Sequence, residues 1–119
     1  MEKYIYKIIN LINNKLYIGQ TKDVKRRWQE HCLAASFSNQ NIRLYNAMRK
    51  YGINNFKIEI IEGPITNYNE REIYWISYYN TYLDKTKGYN MTPGGDEPPI
   101  LKGEDSYLAS FSDETINKI

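Results

Sequence analysis

The chain has 119 residues, 41% hydrophobic and 25% charged, which is enough for one domain with its own core and too apolar for a disordered segment. No apolar run approaches the ~20 residues of a membrane-spanning helix, no basic and then apolar leader opens the chain, and the lone Cys32 excludes an internal disulfide and a Cys-rich metal site. The net charge of +2 hides an asymmetry, because residues 1–60 carry eleven Lys and Arg against four Asp and Glu while residues 61–119 carry five against ten; a basic first half suits a phosphate backbone as well as it suits a solvated lysine face.

Residues 4–10, "YIYKIIN", and 15–21, "KLYIGQT", are rich in β-branched and aromatic residues and read as two strands. Asn13 and Asn14 between them tolerate the left-handed backbone of a tight turn, so the pair reads as a hairpin. With a two-residue or a four-residue turn, paired residue numbers have an odd sum. Tyr6, Ile8 and Asn10 then share a face with Tyr17, Gly19 and Thr21. Gly19 leaves a notch beside the two tyrosines. Thr21 or Asp23 can cap a following helix, in which Val24, Trp28, Cys32 and Ala35 form the buried stripe, with Arg27 and His31 four apart near its edge.

A polar loop, "SFSNQN", leads to a second helix at about residues 42–51, which Gly52 ends. Phe56, Ile58 and Ile60 alternate with Lys57 and Glu59, giving a third strand with one buried face, and Pro64 breaks the chain. Asn67 followed by Glu70 resembles a capping box for a third helix running to about Asn80. Tyr68, Trp75, Ile76 and Tyr79 form its apolar stripe. Glu72 falls on that stripe, where a carboxylate is costly unless it reaches water, pairs with an arginine or binds a metal. Residues 84–103 are dense in Gly and Pro and read as a loop or linker. Ser112-Asp113-Glu114 reads as the opening turn of a further segment.

The polar groups on these half-buried faces are Tyr6, Tyr17, Arg27, His31 and Glu72. One carboxylate can hold a hard cation such as Mg²⁺, which keeps waters and takes a phosphate oxygen. Arginine can neutralise charge growing on phosphate, histidine can move protons near neutral pH, and a tyrosine hydroxyl can orient water. Together they are parts for metal-assisted phosphodiester hydrolysis. Each also has an ordinary reading: packing for the tyrosines, a half-exposed helix residue for His31. With no second carboxylate on the Glu72 stripe, a two-metal site is not indicated.

These residues carry a resemblance to the GIY-YIG nucleases. The two name-giving tripeptides read Tyr4-Ile5-Tyr6 and Tyr17-Ile18-Gly19, with Tyr in place of the first Gly. Arg27 and His31 match the helix motif within "KRRWQEH", Glu72 matches the metal-binding glutamate within "EREIYWI", and Asn90 matches the late asparagine in "GYN". The segment "LYNAMRKYGINNF" also resembles the middle helix and third strand of the family. The match spans about residues 3–95 and looks most like the catalytic domains of phage intron-encoded homing endonucleases.

The resemblance implies an α+β fold with a small three-stranded antiparallel sheet flanked by helices. It implies a catalytic domain over residues 1–95, with 96–119 a linker and the start of a DNA-binding segment. It implies a DNA endonuclease acting on double-stranded DNA with one Mg²⁺ or Mn²⁺; with a lone cysteine and no leader, the expected setting is cytoplasmic, in a phage or bacterial host. Glu72 would hold the metal and Arg27 would stabilise the transition state. Tyr6 would activate or orient the water, Tyr17 and His31 would complete the relay, Asn90 would brace the site, and Gly19 would be the notch that lets water or a DNA phosphate approach. Whether Tyr6 or His31 finally takes the proton stays open. Lys22, Lys25, Arg26, Arg43, Arg49 and Lys50 become candidates for DNA-backbone contacts. A restriction or DNA-repair nuclease on the same fold, and a catalytically inactive DNA-binding module, are the alternatives.

Overall fold

A computed structural model describes residues 1–95. The expected linker and DNA-binding segment at 96–119 lie outside the described residues. Strands β1 (Lys3–Asn10), β2 (Leu16–Thr21) and β3 (Phe56–Ile65) form one antiparallel sheet in the order β2-β1-β3. Helices α1 (Val24–Phe37) and α2 (Arg43–Tyr51) connect β2 to β3, and α3 (Tyr68–Tyr79) follows.

The hairpin uses the four-residue turn. Tyr6 stands opposite Gly19 and Ile8 opposite Tyr17, so the shared face of the two tyrosines is as the parity argument requires. Asn14 takes the left-handed conformation at φ 65°, and Asn10 N–H donates to the Lys15 carbonyl at 2.9 Å. Asp23 caps α1, its carboxylate accepting from Arg26 N–H at 3.1 Å.

Both faces of the sheet are covered, which explains the nearly unbroken apolar run in β1. Tyr6, Ile8 and Phe56 pack with Ala35 of α1 and with Leu44, Tyr45, Ala47 and Met48 of α2. On the other face Ile5 and Ile18 pack with Ile76 of α3, flanked by Tyr68, Trp75 and Tyr79. Each fully buried aliphatic side chain of this kind contributes roughly 1.5–3 kcal/mol.

Four local expectations change. Pro64 does not break β3, which runs on to Ile65; an edge strand tolerates the missing N–H. A register shift between the pairs of Ile5 and Tyr6 turns the strand, so Ile61 and Ile65 pack on the α3 side while Ile60 is left 54% exposed. Asn67 is the cap residue of α3, but its side chain makes no capping hydrogen bond. Residues up to Asn90 are not a linker. Leu16 N–H donates to the Lys87 carbonyl at 3.1 Å, Tyr89 N–H donates to the Leu16 carbonyl at 2.9 Å, and Tyr89 and Asn90 are buried. Gly88 permits this crossing, since a Cβ there would lie 2.3 Å from Thr81 Cα.

Candidate active site

The site forms where three elements meet at the edge strand β2. Tyr6 and Tyr17 come from the α1 side of the sheet. Arg27 and His31 come from α1, one turn apart. Glu72 comes from α3, on the opposite side.

Tyr6 crosses the sheet toward that edge. Its phenol lies over Gly19, where an added Cβ would sit 2.4 Å from both Cζ and Oη. The notch is therefore filled by Tyr6 and is not an opening for water or phosphate, a correction to the sequence reading. The physical reason is the pairing: a tyrosine directly opposite a glycine has no side chain to meet, so its ring lies flat over the gap.

His31 also sits deeper than expected. It is 1% exposed and lies on the core stripe of α1 rather than at its edge. Its Nε2 is 2.8 Å from Tyr6 Oη, and its Nδ1 is 2.9 Å from Tyr45 Oη. The Tyr17 ring meets the imidazole edge-on at 5.7 Å between centroids. Nothing in the spacing of α2 singles out Tyr45, which packs there with Leu44, Ala47 and Met48. Its signal was its hydroxyl, because a buried tyrosine needs a polar partner.

Arg27 pairs with Glu30, Nη1 donating to Oε1 at 3.0 Å, and keeps part of its side chain exposed. Burial opposes its charge, but the hydroxyls of Tyr6, Tyr45 and Tyr17 and the Glu30 carboxylate outweigh burial, so its pKa rises and it remains a cation. Burial pushes the Tyr6 hydroxyl up to about 12, even though the Arg27 guanidinium pulls it down by charge and hydrogen bonding. Burial likewise raises Tyr17 well above its ordinary value.

Glu72 is buried, and it is the one buried carboxylate among the described residues. Gln20 Nε2 donates to its Oε1 at 3.1 Å and to Asn69 Oδ1 at 2.8 Å. The Glu72 charge acts on Tyr6 and Tyr17 across the edge of β2, raising both pKa values. Arg71, its neighbour in sequence, is engaged elsewhere: its Nε donates to Glu62 at 2.6 Å, and Trp75 Nε1 donates to the same oxygen at 2.8 Å. No group of three His, Cys, Asp or Glu able to hold a metal occurs among the described residues. Gln20 was missed because a lone glutamine in a strand has no spacing signature.

Asn90 forms the brace. Its Oδ1 accepts from Ile18 N–H and its Nδ2 donates to the Ile18 carbonyl, each at 2.9 Å, so its amide replaces a missing strand partner of β2. Thr81 Oγ1 donates to the same Oδ1 at 2.8 Å.

The basic residues divide. Lys22, Lys25 and Arg26 are exposed and follow directly on β2, with Arg26 reaching Glu30 at 3.3 Å. Lys50 is exposed, its ammonium 5.2 Å from the Tyr51 ring centroid. Arg49 donates to the carbonyls of Ala35, Ser38 and Gln40, which ties the α1–α2 loop to α2. Arg43 is half-buried, and its Nη1 has no hydrogen-bond partner among the described residues.

The buried His31 has a consequence for stability. Burial, aided by the Arg27 charge, lowers its pKa well below 6.5. The unfolded chain therefore binds a proton below about pH 6.5 that the folded chain refuses. Its contribution is complete above that pH and is lost as the pH falls toward the folded-state value. Between about pH 6.5 and 5 the unfolding free energy should drop with a slope approaching 1.4 kcal/mol per pH unit. Urea melts of the protein and of His31→Gln across this range test it; equal slopes in both would contradict it.

No helix among the described residues is long and apolar enough to cross a membrane. The family model for the GIY-YIG catalytic domain matches residues 2–90. Intron-associated endonuclease 1 of Enterobacteria phage T4 is 35% identical over 95 residues, covering 76% of this chain and 37% of that protein. The catalytic domain of homing endonuclease I-TevI superposes with a TM-score of 0.66 at 32% identity, covering 76% of this chain and 99% of the solved one. A mutant of the same catalytic domain gives a TM-score of 0.67 at 33% identity, covering 79% and 97%. The chain spans about two fifths of the length of the curated relatives it matches.

Proposed function

Because this chain belongs to the GIY-YIG family, we propose that it is a homing-type DNA endonuclease whose phosphodiester hydrolysis is supported by one divalent cation held at Glu72. The observation that carries the reading is the convergence at one strand edge. A charged guanidinium and two tyrosines hydrogen-bonded or packed against a neutral histidine face a buried carboxylate contributed from the other side of the sheet.

The donor chemistry suits Mg²⁺ or Mn²⁺. A single carboxylate beside a glutamine amide leaves most positions to water and substrate oxygen, which Mg²⁺ accepts and structural zinc does not. When bound, the ion supplies a Lewis acid at the scissile phosphate. The remaining roles belong to the chain. Arg27 is a permanent donor-only cation, suited to stabilise the charge that builds on the phosphate in flight. Tyr6 orients the attacking water. At a pKa of about 12, only about one Tyr6 in 10⁵ is ionised at neutral pH. It therefore acts as a hydroxyl that receives the water's proton while handing on its own, and its neighbour for that transfer is His31. Tyr17 packs against the imidazole and limits its motion. Asn90 holds β2 flat under the site.

In this reading Lys22, Lys25, Arg26, Arg43 and Lys50 give non-specific affinity for the backbone of double-stranded DNA. Arg49 adds charge while it holds the α1–α2 loop. Recognition of a particular sequence falls to a segment outside residues 1–95.

The test is cleavage of supercoiled plasmid at high protein concentration, with Mg²⁺ and with EDTA. Mg²⁺-dependent nicking is expected. Arg27→Ala should lower the rate about 10²- to 10³-fold while binding of the same DNA weakens only a few fold. Cleavage in EDTA, or an unchanged rate in Arg27→Ala, would defeat the proposal.

A further inference from the structure

The edge of the sheet opposite the active site is open. β3 is the last strand in the order β2-β1-β3, and no strand pairs with its outer side among the described residues. Leu11 N–H donates to the Asn55 carbonyl at 2.8 Å, directly across the β1–β3 ladder. In an antiparallel pair such bonds recur at every second residue. Lys57 and Glu59 therefore turn their N–H and C=O groups toward β1, opposite Ile9 and Lys7. Phe56, Ile58 and Ile60 turn theirs outward. The ladder is regular from Phe56 to Ile60 and shifts register just beyond, so Ile58 is the centre of the straight part of this edge.

The side chains along it are open to solvent as well. Ile60, on the face of α1 and α2, is 54% exposed. On the other face Lys57 Nζ meets Glu59 Oε2 at 2.8 Å, and both side chains stay about half exposed. These charges discriminate between ways of pairing the edge with itself. Two copies related by a twofold axis pair antiparallel, and directly opposite residues must both face the partner or both face away. The axis then passes through a residue. At Lys57 it sets two lysines opposite each other, and at Glu59 two glutamates, both destabilising. At Phe56 or Ile60 neither charge meets the other, and the pairing runs off the straight segment. At Ile58 each Lys57 stands opposite the Glu59 of the other copy, in the closer of the two pair types, and each exposed Ile60 stands opposite Phe56.

We propose that the outer edge of β3 is a homodimer interface, in which two copies pair antiparallel about Ile58 and join their sheets into one. Charges and bulges commonly guard a free edge. Here the two signs, two residues apart, reject the neighbouring twofold registers and select this one. The interface lies on the edge opposite β2, so both active sites stay open, one for each strand of a duplex. That consequence rests on the nuclease reading, whereas the dimer does not.

The test is sedimentation velocity of the full chain without DNA, from micromolar to near-millimolar concentration. A reversible, concentration-dependent dimer is expected. Glu59→Lys sets lysines opposite lysines and Lys57→Glu sets glutamates opposite glutamates, so each variant alone should dimerise roughly tenfold more weakly. Both positions are exposed and remote from the site, so each variant should melt within a few degrees of the native protein. An equimolar mixture of the two variants should recover the dimer, because every charge of one then meets its opposite in the other. A native protein that stays monomeric throughout overturns the proposal, and this is also the result if a segment outside residues 1–95 covers the edge. A dimer indifferent to both variants overturns it, as does a mixture of folded variants that fails to recover. If the mixture recovers but the native protein cuts no DNA under any metal condition, the nuclease reading fails and the interface stands.

Discussion

Glu72→Gln should abolish Mg²⁺-dependent cleavage while leaving the protein folded. The substitution keeps the size of the side chain and its contact with Gln20, and removes the charge that would hold the cation. Lewis-acid stabilisation of a phosphoryl transition state is worth several kcal/mol, and about 4 kcal/mol corresponds to about 10³-fold in rate. Glu72→Ala should lose as much activity. Burying a carboxylate carries a desolvation cost, so the neutral amide should not lower the melting temperature by more than a few degrees. DNA affinity measured without divalent metal should stay within a few fold. A Glu72→Gln protein that still cuts at near-native rate, or one that loses activity only because it unfolds, would show that this carboxylate is a packing residue.

The second large effect is expected at Gly19. In Gly19→Ala the new methyl falls 2.4 Å from Tyr6 Cζ and Oη. Tyr6 is 1% exposed and held by His31 at 2.8 Å, so its ring can yield only by leaving that bond or by spreading the hairpin. Overpacking of this kind costs about 1–3 kcal/mol of stability. A displacement of about 1 Å in a reacting group can cost about 10²-fold in rate. The cleavage rate should therefore fall by about 10² while the fold survives. The substitutions should also be coupled. In a Tyr6→Phe background, where the hydroxyl is already gone, Gly19→Ala should cost far less additional activity than it does alone. Strict additivity of the two losses would mean that Gly19 serves something other than Tyr6.

Both predictions turn on residues whose identity was legible in the sequence and whose job was not fully so. Gly19 was identifiable as a gap on the tyrosine face, but a strand pattern does not say which side chain fills a gap. Glu72 was identifiable as a charge on an apolar stripe, yet the choice between an arginine partner, water and a metal depends on what faces the helix. In the folded chain Gln20 faces it, and Arg71 is drawn off to Glu62. His31 shows the limit on a single helix. Four-residue spacing placed it on the same face as Arg27, and the depth of that face was set by α2 packing over it.

What the sequence by itself determined about this protein are the consequences of local periodicity. The period of two in a strand is independent of the rest of the fold, so Tyr6 and Tyr17 had to share a face once residues 4–21 formed a hairpin. The helical repeat similarly placed Glu72 in line with Tyr68 and Ile76. The tertiary structure decided everything that joins distant parts of the chain. Tyr45 reaches His31 across fourteen residues, Gln20 reaches Glu72 across fifty-two, and Asn90 takes the place of a strand beside Ile18 across seventy-two. These contacts are hydrogen bonds between single polar groups, and they leave no periodic trace. They exist because burial on both faces of one sheet removes water as a partner, and each hydroxyl, amide and carboxylate at the edge of β2 must then find its partner in another element.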